Sequence, residues 1–148
     1  MSVNGFNKFS ILAVLLVPMH AWATLGGNAD SVIADKTALP ATMQSTATPR
    51  YTVSELKLPS GTVVREYADS ITGTVFGLSW QGPVIPNLKQ ILGTYFDAYL
   101  KAIPSGIGPV NVVTPNLVVR STGHMRAFWG HAYLPSLLPT GVPPSDIQ

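Results

Sequence analysis

The stretch YTVSELKLPSGTVVREYADSITGTVFGLSWQGPVIPNLKQILGTYFDAY, residues 51–99, decides the fold of this 148-residue chain. β-Branched and aromatic side chains occur in three runs, residues 51–58, 62–67 and 74–80, with turn residues between them. The runs predict three strands, and strands joined by tight turns pair antiparallel. In the third run the spacing predicts one apolar sheet face, formed by Phe76, Leu78 and Trp80.

The end of this stretch predicts an amphipathic helix over residues 87–102. Asn87 is placed to cap the helix, Gln90 follows three residues later, and Pro104 stops it. Apolar residues recur at helical spacing on one face, namely Leu88, Ile91, Leu92, Tyr95, Phe96, Tyr99 and Leu100. One apolar helix face covers one sheet face, so the sequence predicts a two-layer α+β fold.

Further strands are predicted after the helix. Residues 110–114 favour an extended segment, and residues 117–121 and 125–133 read as a hairpin joined by 122–124. The predicted fold class is therefore α+β, with an antiparallel sheet of about five strands packed by one main amphipathic helix and a short N-terminal helix. That short helix would start at Asp30 or Ser31 and end near Leu39.

The chain outside this domain divides by composition. Residues 1–23 are predicted to be a signal peptide, 24–50 an N-terminal segment and linker, 51–134 a single α+β domain, and 135–148 a proline-rich C-terminal tail. Residues 24–28 are rich in glycine and are expected to be flexible.

The signal-peptide prediction depends on three features. Lys8 supplies a positive charge, residues 9–17 form an apolar run, and Ala21-Trp22-Ala23 is a small-x-small cleavage site. An apolar run of this length is too short for a bilayer core of about 30 Å. The sequence predicts a periplasmic or secreted protein cleaved after Ala23, with no transmembrane helix in the mature chain, and an uncleaved anchor is the alternative.

Composition excludes several functions. Nine Lys and Arg residues against seven Asp and Glu give a net charge of +2, with no basic cluster of the kind that nucleic-acid binding requires. The absence of cysteine excludes disulfides, thiolate metal sites, a cysteine nucleophile and a lipidated cysteine anchor.

Side chains capable of chemistry gather in the last predicted hairpin. The candidate binding residues are His124, His131, Arg120, Arg126 and Trp129. The histidines suit a metal or a general base, but a metal needs three or four converging ligands, and no acid stands at a recognised spacing. No metal site, no catalytic residue and no cofactor is therefore predicted. The arginines can hold an anion, and ordinary turn and strand roles are the alternative for all five residues.

Two further arrangements have a functional and a structural interpretation. Trp80 and Trp129 can stack on a sugar or a peptide, although aromatic residues are mostly core in a domain of this size. Glu55 and Glu66 flank a predicted turn and can form a pair of catalytic carboxylates. Lys57 and Arg65 are equally placed to neutralise them, so cross-strand ion pairs are the expected role.

Four phrases carry a resemblance to a known family: LGGNADSVIAD, YTVSELKLPSGTVVREY, VFGLSWQGPVIPNLKQILGTYFDAY and LVVRSTGHMRAFWGHAYLPSLLPTGV. Together they resemble a bacterial family of small exported proteins, domain-of-unknown-function family number 2844. The resemblance covers nearly the whole mature chain and implies export and a single domain. It implies no activity and no catalytic residues.

The predicted function is that of a non-enzymatic binding or accessory module of the bacterial envelope. Its expected partner is another envelope protein or a cell-surface component, without nucleic acid. One alternative is a small periplasmic hydrolase that uses His124 or His131 with a carboxylate. Another is a carbohydrate-binding module, which requires Trp80 or Trp129 to be exposed on a flat face.

Overall fold

The computed structural model describes residues 24–28, 42–105 and 108–148. The predicted signal peptide at residues 1–23 and the predicted short N-terminal helix lie outside the described residues.

One antiparallel sheet dominates the described ranges, with seven strands in the order β1-β2-β3-β4-β7-β6-β5. The strands are β1 (Thr42–Ala47), β2 (Tyr51–Lys57), β3 (Val63–Asp69), β4 (Val75–Gly82), β5 (Val110–Val113), β6 (Val118–His124) and β7 (Ala127–Tyr133). Two meanders, β1 to β4 and β5 to β7, meet where β4 pairs with β7. An antiparallel sheet with one helical region is therefore confirmed, and the expected number of about five strands was too low.

Strand β1 lies within residues 24–50, the predicted N-terminal segment and linker. It pairs with β2 over its whole length, from Thr42 opposite Lys57 to Ala47 opposite Thr52. Five of its six residues are exposed. An edge strand is held by main-chain hydrogen bonds to one neighbour. Strand β1 has no alternation of apolar and polar residues, so the sequence carries no signal for it.

The helical region spans the predicted residues but is broken in the middle. It consists of α1 (Leu88–Leu92), a 3₁₀ turn (Gly93–Tyr95) and α2 (Phe96–Lys101). The predicted cap is confirmed, because the Asn87 side chain accepts a hydrogen bond from the main-chain N–H of Gln90 at 3.3 Å.

The break occurs at Gly93, whose φ of 54° and ψ of −124° are not helical. A Cβ at this position would lie 3.1 Å from the Cβ of Thr24, so the glycine also makes room for the N-terminal segment. Beyond the break the apolar stripe no longer faces the sheet throughout, and Leu100, predicted to be buried, is 46% exposed.

Residues 24–28 are docked, in contrast to the predicted flexibility. Leu25 is buried, and its N–H donates to the carbonyl of Ile91 at 3.0 Å. Gly26 N–H donates to the carbonyl of Val75, and Val75 N–H donates to the carbonyl of Gly27, both at 2.8 Å. The segment therefore joins α1 to the start of β4.

The sheet has two covered faces. The helix face packs against α1 and α2, and its buried residues include Leu78, Trp80, Leu92 and Tyr99. The tail face is covered by the C-terminal tail, residues 135–148, around a smaller cluster. That cluster is formed by Tyr67, Phe76, Val142 and Ile147.

Phe76 lies on the tail face because of a β-bulge, so the prediction that it faces the helix with Leu78 and Trp80 was wrong. Tyr67 pairs with Gly77 and Ala68 with Val75, which leaves Phe76 as an extra residue in β4. An extra residue reverses the facing of the chain on one side of the bulge.

The C-terminal tail is anchored by residues from β2, β3 and the turn before them. Arg50 donates to the carbonyl of Gly141 at 2.8 Å, and the Tyr67 hydroxyl donates to the main-chain oxygen of Gln148 at 2.8 Å. The Tyr51 hydroxyl reaches the Asp146 carboxylate at 3.4 Å, a longer contact. The tail therefore forms a fixed wall along one side of the sheet.

Candidate functional site

The β6–β7 hairpin places four of the five candidate residues on one face of the sheet. Arg120 pairs with His131, and His124 pairs with Ala127, in an uninterrupted register. Cross-strand partners share a face, as do residues two apart along a strand. Arg120, His124, Trp129 and His131 therefore all lie on the tail face.

The turn of this hairpin lies two to three residues later than predicted. It consists of Met125 and Arg126, and the predicted turn residues 122–124 belong to β6. Arg126 has a φ of 67°, a left-handed conformation that costs a non-glycine residue free energy. Arg126 is thus the fifth candidate, at the exposed tip of the hairpin.

A row of polar residues crosses the tail face, one from each strand. In sheet order the row is Gln44, Glu55, Arg65, Ser79, His131, Arg120 and Asn111. Arg65 Nε contacts Glu55 Oε2 at 2.9 Å, and Arg65 also donates to the main-chain oxygen of Gln148 at 3.3 Å. The Arg120 side chain, in contrast, has neither an ion pair nor a hydrogen bond within the described ranges.

A groove with a volume of about 520 Å³ runs between this row and the C-terminal tail. Gln81, Trp129 and His131 line it from the sheet, and Pro144, Ile147 and Gln148 line it from the tail. Trp129 is 51% exposed, whereas Trp80 is 2% exposed. The Trp129 indole therefore presents about half of its surface to solvent at the groove, beside polar side chains.

His131 is held in its neutral form. Burial lowers the pKa of His131 from its ordinary value of 6.5, and the positive charge of Arg120 lowers it further. Its ring stacks near that of Tyr133, with centroids 6.3 Å apart. At neutral pH, His131 therefore offers a neutral donor and acceptor to the groove, while Arg120 carries the positive charge.

A family model described as "Protein of unknown function (DUF2844)" matches residues 21–147. The chain belongs to this family. No curated protein and no solved structure matches it.

Membership of the DUF2844 family confirms the resemblance seen in the sequence and assigns no chemistry, so the site must be interpreted from its geometry. The structure separates the two histidines. His124 stands four residues along β6 from Arg120, the partner of His131, which corresponds to about 13 Å of strand. Among the described residues, no group of three or more His, Asp or Glu side chains is placed to hold a metal ion.

The possible carboxylate pair is separated by the sheet in this DUF2844 chain. Glu55 pairs with Arg65, whereas Glu66 pairs with Ser54, the neighbour of Glu55 in β2. Adjacent residues of a strand point to opposite faces, so Glu55 lies on the tail face and Glu66 on the helix face. The Glu55–Arg65 contact is the cross-strand ion pair that the sequence predicts.

Among the described residues, His131 does not make the contacts that a histidine-dependent hydrolase requires. Ser79 is the cross-strand partner of His131, but its Oγ is buried and has no hydrogen-bond partner among the residues described. A serine nucleophile needs a hydrogen bond to its base, and the base needs an orienting group. The charged group that shifts the pKa of His131 is Arg120, not a carboxylate. The geometry gives this alternative no support.

The opposite wall of the groove was not found from sequence. Pro144, Ile147 and Gln148 belong to the tail, which has no apolar period. The signal in this region is Gly77, where a Cβ would lie 2.8 Å from Ile147 Cδ1. A glycine in a buried strand marks a close approach by another segment, although it does not identify that segment.

Proposed function

We propose that this protein is an exported, non-catalytic binding module of the bacterial envelope, and that it binds a saccharide in the groove beside Trp129. The proposal rests on the exposure of Trp129 on a sheet face. Sugar rings present an apolar face of C–H bonds, which packs on an indole ring, and hydroxyl groups at their edge, which require polar partners. Gln81, His131 and Gln148 line the groove and can supply those partners.

The rigidity of the site favours binding. Trp129 lies in β7, which pairs with β4 on one side and β6 on the other. A strand held on both sides fixes the backbone that carries Trp129, so binding requires no ordering of the main chain there. The paired acid and base that glycoside hydrolysis needs are not brought together in the described part of the chain. We therefore favour recognition over hydrolysis.

An array of purified bacterial envelope polysaccharides and their oligosaccharides tests this function. Wild-type protein is expected to bind a subset of the array, and Trp129→Ala is expected to weaken that binding roughly tenfold or more, because a central aromatic contact is lost. Trp129→Phe should retain part of the affinity.

Ile71→Ala is the matched control, since Ile71 is an exposed apolar residue in the β3–β4 turn, away from the groove. Absence of saccharide binding, or equal binding by wild type and Trp129→Ala, would overturn the proposal.

Export is a separate part of the proposal. Cleavage after Ala23 would leave the docked segment Thr24–Asn28 intact, with the N–H of Gly27 bonded to the carbonyl of Thr24 at 2.7 Å. Later cleavage would remove part of a segment that pairs with β4. Mass spectrometry of protein recovered from the periplasm and medium should give an N-terminus at Thr24. A protein that retains residues 1–23 in the cytoplasm would contradict export.

A further inference from the structure

We propose that the ligand of this groove is an acidic saccharide, and that Arg120 binds its carboxylate. The inference rests on the proposed function and specifies the chemical class of the ligand. It follows from the charges around Arg120 and from their separation along the chain.

The first observation is the distribution of acids. No Asp or Glu occurs from residue 98 to residue 145, a range that contains the β5–β6–β7 meander and most of the tail. The same range carries Lys101, Arg120 and Arg126 in addition to two histidines. The half of the sheet that contains the groove therefore carries positive charge without acids of its own.

The second observation concerns the acids that reach the tail face from elsewhere. Glu55 belongs to the polar row but is neutralised by Arg65 at 2.9 Å. Asp146 belongs to the tail but accepts a hydrogen bond from the Tyr51 hydroxyl, on the β2 side of the sheet. Neither is an ion-pair partner of Arg120. The positive end of the row is left without a protein counterion among the residues that the structure describes.

The third observation is the position of Arg120 beside the groove. Arg120 is exposed and is the cross-strand partner of His131, which lines the groove. The lowered pKa of His131 favours the neutral imidazole, which does not attract the anion away from Arg120. The neutral ring can form a hydrogen bond with a sugar hydroxyl instead. A guanidinium binds a carboxylate through two parallel hydrogen bonds, and such charge-assisted bonds are about twice as strong as neutral ones. A ligand with a ring for Trp129 and a carboxylate for Arg120 is a uronic acid or another acidic sugar.

The test compares pairs of oligosaccharides in which the carboxylates of one member are converted to neutral groups in the other. Tetragalacturonate and its methyl ester form one pair, and acidic envelope polysaccharides with their carboxyl-reduced forms provide others. Wild-type protein is expected to bind the acidic member roughly tenfold more tightly at low salt, and the preference should shrink as ionic strength rises.

Arg120→Gln is expected to remove this preference while the affinity for the neutral member stays the same. Lys89→Gln makes the same change of charge on the helix side of the sheet and should retain the preference.

Each result has one meaning. Equal binding of both members of every pair overturns the acidic-ligand inference and leaves the saccharide site standing. An acid preference that survives in Arg120→Gln also overturns the inference. Failure to bind any saccharide removes the proposed function and, with it, this inference.

Discussion

Two glycines, Gly130 and Gly77, make a matched pair that tests how the site is supported. Gly130 lies between Trp129 and His131 in β7 and faces the helix side. A Cβ on Gly130 would overlap the Trp80 ring carbon Cζ2 and lie 2.6 Å from the carbonyl oxygen of Arg120. A Cβ on Gly77 would lie 2.8 Å from Cδ1 of Ile147, the end of a flexible side chain. Both positions are strand interiors, so the two substitutions share the same propensity effect.

The expected magnitudes follow from those neighbours. Alanine in a strand interior is favoured over glycine by about 0.5–1 kcal/mol. Overpacking costs about 1–3 kcal/mol, and at Gly130 the upper end applies because neither the buried Trp80 ring nor the main chain of β6 can move away. Gly130→Ala is therefore expected to lower the free energy of unfolding by about 2 kcal/mol. Gly77→Ala should change it by less than about 1 kcal/mol, since Ile147 can rotate.

Urea unfolding followed by circular dichroism measures both free energies. For a chain of this size the expected difference corresponds to a melting temperature lower by about 8 °C for Gly130→Ala than for Gly77→Ala. If Gly130→Ala is as stable as wild type, or if Gly77→Ala is the more damaging change, then the close packing of β7 on Trp80 is not what positions Trp129 and His131.

Three further outcomes are expected. Tyr67→Phe removes a hydroxyl that donates one hydrogen bond to the main chain of Gln148 and accepts another from it. The change should lower the free energy of unfolding in urea by about 1–2 kcal/mol and speed proteolysis of the tail. Tyr51→Phe should lower the free energy of unfolding by less, because the Tyr51 contact with Asp146 is longer, at 3.4 Å. Arg126→Gly should stabilise the protein by about 0.5–1 kcal/mol in thermal melts, because it relieves a left-handed conformation. By NMR, His131 should titrate with a pKa below 6.5. Because folding disfavours protonation of His131, its contribution to the free energy of unfolding should be complete above pH 6.5, the pKa of the unfolded state, and should be lost as pH falls through the lower folded-state pKa. His131→Gln should remove this pH dependence.

The parts of the fold that could be predicted are those with local signals. Strands β2 to β4 are runs of β-branched and aromatic residues separated by turn residues, and α1 has a capping residue at Asn87, so their positions were predicted to within about two residues. The number of strands was not predictable in the same way. Strand β1 is polar and exposed, and a local pattern cannot distinguish such an edge from a linker.

The misplaced residues have tertiary causes. The bulge at Phe76 turns one large side chain to the opposite face, and the tail cluster containing Ile147 accepts it there. The break at Gly93 accompanies the docking of Thr24. In each case a segment distant in sequence decides the local conformation. For the same reason, the second wall of the groove could not be predicted from sequence, since its position depends on where the tail docks.

The polar row explains how one sheet serves as both scaffold and candidate site. At one end the row is closed, because Arg65 contacts both Glu55 and the last residue of the tail. At the other end it stays open, because β5, β6 and β7 bring no acid to Arg120. A row that is neutralised only where the tail is anchored leaves its unmatched charge beside the exposed indole of Trp129, which is the arrangement that an acidic sugar would complete.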